Sequence, residues 1–181
     1  MKKNNSKIII IIVNWKQYKL TKACLKSLKK SNYRNYKIIL VDNESDNLEI
    51  LKIKKDFNDI KIFQNKFNLG FGAANNQAIN YAIQNNFEYV MLLNNDTEVD
   101  EDFINPLIYT IKKNNLIGAV QPLIMNYKNR DSVWSAGGYI NKFFGYTSTN
   151  KILNFFYHLS LVMYHFIVRL LFYQNLSMIL S

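Results

Sequence analysis

The stretch that decides the fold is Ile8-Ile9-Ile10-Ile11-Ile12-Val13-Asn14-Trp15. Six consecutive β-branched residues, Ile8–Val13, with no polar alternation suit a strand covered on both faces. Comparable runs recur downstream. Lys37–Val41 reads as a second buried strand, Ile60–Phe63 as a shorter third, Tyr89–Leu93 as a fourth, and Ile117–Gln121 as a fifth ended by Pro122. Helical spacing fills the intervals. Leu20–Lys30 sets Leu20, Cys24 and Leu28 on one face, a short helix follows near Asn47–Lys55, and Ala73–Asn85 aligns Ala74, Ala78 and Ala82. Asp100–Asn114 carries acids in its first turn and lysines in its last, as the helix dipole favours. Strands alternating with helices imply a parallel sheet with helices on both faces. Right-handed crossovers then gather the strand C-terminal ends on one edge, where ligands bind in such sheets. Asn14-Trp15, the turn Asp42–Asp46 and the segment Asn94–Glu98 all fall on that edge.

Composition bounds the alternatives. A chain of 181 residues holds one α/β domain with a proper core and is too short for two large ones. A hydrophobic content of 49% argues against disorder. The net charge of +10 lies largely in lysine pairs such as Lys29-Lys30, Lys54-Lys55 and Lys112-Lys113. These read as solvated helix faces, or as attraction to anionic lipid or phosphates. No dense basic helix or recognition motif points to nucleic acid. Cys24 is the sole cysteine, so an intramolecular disulfide is excluded, and its helical position suits a small core residue. The apolar run Ile8–Val13 is too short for a signal-peptide core and has no small-residue cleavage site, so the domain is expected in the cytoplasm.

Three polar clusters carry candidate chemistry. In Asp42-Asn43-Glu44-Ser45-Asp46, a carboxylate at a strand end can accept the N3–H of uracil or thymine. The same residues also suit an Asx-type turn or a helix N-cap. In Asn68-Leu69-Gly70-Phe71-Gly72-Ala73-Ala74-Asn75-Asn76, small residues admit a ligand close to backbone at a helix start, and Asn75 and Asn76 can bond ribose or diphosphate. Plain helix–sheet packing is the competing explanation. Gly70-x-Gly72 is also a fragment of a nicotinamide-dinucleotide fingerprint, but Asn75 holds the third glycine position and a loop separates the pair from its strand. In Leu92-Leu93-Asn94-Asn95-Asp96-Thr97-Glu98, Asn94 and Asp96 can hold Mg²⁺ or Mn²⁺ against a diphosphate through oxygen ligands. Asp100, Glu101 and Asp102 read instead as helix-capping acids. Trp15 and Trp134 suit stacking on a base or sugar, and packing equally well.

The ordered set Ile-Val-Asn-Trp at 12–15, Val-Asp-Asn-x-Ser-x-Asp from 41, less its last residue, Asn-x-Gly-Phe-Gly-x-x-Asn-Asn at 68–76 and Leu-Leu-Asn-Asn-Asp-Thr at 92–97 resembles family 2 glycosyltransferases of the GT-A fold. Within them it is most similar to rhamnosyltransferase-like members that build bacterial surface polysaccharides. The resemblance covers about residues 7–145. It implies a UDP- or dTDP-sugar donor and a glycan or lipid-linked acceptor. Asp42 would contact the pyrimidine; Asn14, Asn68, Gly70, Asn75, Asn76, Asn94 and Asn95 would line the nucleotide-sugar site; Asp96 would carry the divalent cation. Asn94 stands where the family motif has its first acid. Ser135-Ala136-Gly137-Gly138 resembles the segment leading to the acceptor side.

The family's general base lies downstream in an acidic motif, and no Asp or Glu follows Asp131. His158 and His165 lie within an apolar stretch, so no catalytic base is assigned. The expectation is a C-terminally truncated member with weak or no transfer, or a non-catalytic nucleotide-sugar binder. Two segments are expected: a GT-A domain over 1–150, with an incomplete acceptor half, and an apolar tail over 151–181. At 3.6 residues per turn, Lys151, Asn154, His158, His165 and Arg169 form a narrow polar stripe on that tail. It suits a helix lying on the inner face of the cell membrane, a spanning helix, or sequence never under selection.

Overall fold

The structure is a computed structural model that describes residues 6–140, 147–149 and 163–164. Strand β1 (Ile8–Asn14), helix α1 (Tyr18–Lys29), β2 (Tyr36–Asn43), α2 (Asn47–Asp56), β3 (Lys61–Asn65), α3 (Phe71–Gln84), β4 (Tyr89–Asn94) and α4 (Ile104–Lys112) alternate along the chain. The four strands form one sheet in the order β3-β2-β1-β4, with every pairing parallel. β1 therefore has a neighbour on each edge.

The pleat divides the isoleucine run between two cores. Ile8, Ile10 and Ile12 join Leu25 and Leu28 of α1, Ile50 and Ile53 of α2, and Ile104, Ile108 and Ile111 of α4. Ile9 and Ile11 face Ala74, Ala78 and Ala82 of α3 on the other side. All five isoleucines are fully buried, each contributing about 1.5–3 kcal/mol by leaving water. The alanine face of α3 lets its backbone come close to the sheet. Cys24 is buried in the first core, and that burial pushes its thiol pKa up.

The α/β architecture is the expected one, with local departures. Leu20 is half exposed, whereas Thr21 is fully buried beside Cys24. The inner face of α1 thus begins one residue later, because the Thr21 hydroxyl has a buried polar partner at the end of β1. Gln64 and Asn65 extend β3, so the connecting loop shortens to residues 66–70. The acids Asp100–Asp102 precede α4 rather than forming its first turn, and Asp100 Oδ1 accepts from the Asp102 N–H at 2.9 Å. The expected strand over Ile117–Gln121 does not form. Ile117 and Val120 are half-buried packing residues in a connector punctuated by Gly118 and Pro122. The next strand is β5 (Ile124–Met125), antiparallel to β6 (Val133–Ser135) and outside the four-stranded sheet.

A short hairpin follows, β7 (Gly138–Ile140) with β8 (Thr147–Thr149). Of the tail 151–181, the described residues are Met163–Tyr164, strand β9, parallel to β5. The expected apolar helix otherwise lies outside the described residues. Among those described, no helix is long and apolar enough to cross a membrane.

Replacing Ile10 by Ala should lower the unfolding free energy by about 2–5 kcal/mol in a denaturant titration, through lost burial plus a cavity. Leu51→Ala, at an exposed site, should change it by about 0.5 kcal/mol or less. Equal effects would overturn the assignment of β1 as the shared core strand.

Candidate functional site

The ends of β1, β2 and β4 lie together at the sheet's C-terminal edge. Asn14 pairs in register with Asp42, and Val13 with Asn94. The pleat then sorts these residues by face. Asn14 and Asp42 continue the α1 side of the sheet, after Ile12 and Leu40. Asn43 continues the α3 side, after Val41.

On the α1 side a buried network forms. Asn14 Nδ2 donates to Asp42 Oδ1 and to Ser45 Oγ, each at 2.9 Å. The Ser45 N–H donates to Asp42 Oδ2 at 3.1 Å, and the Lys16 N–H to Ser45 Oγ at 2.8 Å. Thr21 Oγ1 donates to Asn14 Oδ1 at 2.6 Å. Asn95 Nδ2 closes on the same hydroxyl at 3.0 Å and reaches Gln17 Oε1 at 3.2 Å. Lys16 (φ 54°) and Glu44 (φ 74°) adopt left-handed backbone in the loops after β1 and β2. Such conformations cost roughly 1–2 kcal/mol each and persist where hydrogen bonds hold the loop. The N-cap of α2 is Asp46, which accepts from the Leu48 N–H at 2.9 Å, rather than Asp42 or Ser45.

On the α3 side Asn43 clasps the loop 66–70. Its Oδ1 accepts from the Leu69 N–H at 3.0 Å and from Asn65 Nδ2 at 3.1 Å. Its Nδ2 donates to Asn68 Oδ1 at 2.6 Å. Asn68 Oδ1 also takes the Gly70 N–H at 2.8 Å. Gly70 has φ +80° as the N-cap of α3, a conformation that favours glycine.

These two networks border a cleft of about 300 Å³. Its polar lining comes from Gln17, Asn43, Asn68, Asn94, Asn95 and Asp96, and its apolar lining from Val13, Trp15 and Phe71. Trp15 and Phe71 are about half exposed, and the Lys16 ammonium lies over the Trp15 ring at 5.5 Å from its centroid. Asp96 also borders a more apolar cavity of about 310 Å³ with Leu20, Cys24 and Tyr127. The Cys24 thiol donates to the Asn94 carbonyl at 3.6 Å, tying α1 to the end of β4.

The candidates named from sequence therefore separate. Asn68, Asn94, Asn95 and Asp96 line the cleft. Asn14 and Asp42 are fully buried behind it, and Gly70 supports its loop. Asn75 is buried, with Nδ2 donating to the Phe71 carbonyl at 2.8 Å inside α3. Asn76 is exposed on the outer side of α3. Trp134 is half exposed on β6, apart from the cleft lining. Asn43, Gln17, Phe71 and Thr21 were not singled out. Counting the two-residue period from Leu40 would have placed Asn43, not Asp42, on the α3 side.

The residues also bear on a divalent cation. Among the described residues no group of three or more His, Cys, Asp or Glu gathers. Among the described residues Asp96 is the single carboxylate lining the cleft, beside the amides of Asn94 and Asn95. Mg²⁺ and Mn²⁺ sites built on one or two carboxylates plus substrate phosphates need no larger protein set. The donor set fits that pattern.

A parallel α/β sheet with its cleft at the strand C-terminal ends places the chain among the open α/β folds that bind ligands at that edge. The family model described as glycosyl transferase family 2 matches residues 8–172, and the chain belongs to that family. It is 32% identical over 123 residues to poly-beta-1,6-N-acetyl-D-glucosamine synthase of Staphylococcus epidermidis, covering 66% of this chain and 29% of that protein. The chain thus spans under a third of that relative's length. Among solved structures, S. aureus TarS 1-349 in complex with UDP-GlcNAc aligns with TM-score 0.53 and 19% identity, over 66% of this chain and 34% of that one. The mannosyltransferase PcManGT from Pyrobaculum calidifontis, in complex with GDP-Man and Mn²⁺, aligns with TM-score 0.55 and 15% identity, with the same two coverages, 66% and 34%. At such identities these two establish the fold.

Asn43→Ala should free the loop 66–70. Limited trypsin digestion should then cut after Lys66 several-fold faster than in the wild type, with stability lowered by about 1–3 kcal/mol. An unchanged cleavage rate would show that Asn43 does not hold the loop.

Proposed function

We propose that the cleft binds a UDP- or dTDP-sugar and that the chain carries the donor side of a glycosyltransferase acting on a glycan or lipid-linked acceptor in surface polysaccharide synthesis. One observation carries this reading: Asn68 from the loop before α3 and Asn94, Asn95 and Asp96 from the end of β4 converge on one cleft in a family 2 chain. The UDP-GlcNAc complex of TarS supports a uridine donor, and the synthase relative, named for a poly-N-acetylglucosamine, supports glycan synthesis. The motif resemblance to rhamnosyltransferases supports dTDP. PcManGT holds a GDP-sugar on the same fold, so the base is a matter for direct measurement.

The base end of the donor is assigned to β2. There Asn43 lines the cleft and Asp42 stands behind it, fixed by Asn14 and Ser45. Trp15 and Phe71 offer faces for stacking on base or sugar. The diphosphate is assigned to the end of β4. Asp96, with Asn94 and Asn95, would hold the divalent cation, which when bound neutralises charge on the leaving diphosphate. Asn75 and Asn76 are kept from the motif as ribose–diphosphate candidates; a rearranged α3 start would have to expose Asn75 and turn the already exposed Asn76 toward the cleft.

Transfer also requires a base to accept the acceptor's hydroxyl proton. No base is assigned among residues 132–181, which contain no Asp or Glu. Association of the tail 151–181 with the inner face of the membrane belongs to the same proposal.

Calorimetry with UDP, dTDP, GDP and NAD⁺, each with and without Mn²⁺, tests the site. Binding of UDP or dTDP strengthened by Mn²⁺ is expected. Asp96→Ala should remove that Mn²⁺-dependent gain, about tenfold or about 1.4 kcal/mol. Preference for NAD⁺, or an Asp96→Ala variant indistinguishable from wild type, would overturn the assignment. A donor-turnover assay on the same protein separates transferase from binder.

A further inference from the structure

We infer that Thr21 is a positioning residue that decides which end of the Asn95 amide faces the cleft; this rests on the donor-site reading above. A hydrogen-bond chain of fixed direction leads to that conclusion. It starts at Asp42, which is fully buried and accepts at both oxygens. With the Ser45 N–H on one oxygen, the Asn14 side chain turns its NH₂ toward the other. That turns Asn14 Oδ1 to Thr21, which must then donate its one hydroxyl proton, at 2.6 Å. The Thr21 oxygen is left as an acceptor, so Asn95 must bring its NH₂, at 3.0 Å. Gln17 Oε1 engages the same NH₂ at 3.2 Å. The carbonyl oxygen Oδ1 of Asn95 is the atom this arrangement turns away from α1. Asn95 lines the cleft beside Asp96.

The consequence is chemical. Turned into the cleft that Asp96 also lines, the amide oxygen would add to a hard-oxygen set for a divalent cation. The opposite flip would put two N–H donors there, which repel a cation. Three of the members, Asn14, Thr21 and Asp42, are fully buried, so the direction is protected from competing water. The device spans three elements: β2 holds Asp42, β1 holds Asn14, and the first turns of α1 hold Thr21. None of the three lies on the cleft lining, so their effect on a ligand passes through Asn95.

Thr21→Val keeps the shape of the side chain and deletes the hydroxyl. It should weaken Mn²⁺-dependent UDP binding about tenfold in calorimetry while leaving metal-free UDP binding within about twofold. Thr21→Ser, which keeps the hydroxyl, should restore wild-type behaviour. Asn95→Asp supplies a group that offers oxygen whichever way it turns. In that background Thr21→Val should no longer matter. Thermal melts of each variant identify any loss of folding, and Thr21→Ser keeps the test open if Thr21→Val does not fold. If wild-type chain shows no Mn²⁺-dependent UDP binding, the donor-site reading falls and the relay with it. If wild type binds but Thr21→Val is unchanged, or loses equally with Asn95 and with Asn95→Asp, the relay alone is wrong.

Discussion

The structure depends on β1 being covered on every side. It has a hydrogen-bonded parallel strand on each edge and a helical layer on each face. Nothing polar can sit within it without cost, since an unpartnered buried polar group costs roughly 1–3 kcal/mol. The first polar side chain of the strand is Asn14, at its last position, and it arrives with three hydrogen bonds already arranged. The burial that stabilises the sheet therefore also places the polar chemistry at one edge. The end of β1 is the hub at which β2, α1 and β4 register their polar residues.

The family and the cleft fit one another. A sugar-nucleotide donor presents a flat base, a ribose and a charged diphosphate. The cleft presents two aromatic faces, a row of amides and one carboxylate. The amides come from several elements: Gln17 ahead of α1, Asn43 at the end of β2, Asn68 in the loop before α3, and Asn94 and Asn95 at the end of β4. With a single carboxylate among its described lining residues, any hold of the proposed site on a cation would rely on how neutral oxygens are turned, which is why the buried network behind the cleft matters to that proposal.

Much of the fold was legible in the sequence because its strands are continuous apolar runs and its helices carry clear apolar faces. β1 and the alanine face of α3 appear where the pattern places them. What misled was local. Ile117–Gln121 has strand composition, yet no sheet edge takes it up, and composition says nothing of available partners. Leu20 looked like the first inner residue of α1, but the buried place went to Thr21, whose hydroxyl has a partner 7 residues away at Asn14. The motifs contain the residues that line the cleft, but they do not say on which face of the sheet each side chain lies. Asp42 and Asn43 are adjacent, the pleat separates them, and only the second lines the cleft. Asn75 reads as a ligand-binding amide beside glycines, but its amide caps the Phe71 carbonyl within α3.

The pairing of Ile8 with Tyr89 has a consequence for synthesis. At about 5–20 residues per second, the ribosome makes β1 several seconds before its second partner strand exists. During that interval five consecutive isoleucines, a segment of high β-propensity and no charge, must stay away from other nascent chains. Lys2, Lys3 and Lys7 sit immediately upstream, and like charges flanking such a run keep neighbouring copies apart. The lysines ahead of the strand thus act as gatekeepers for a segment that the finished sheet will hide.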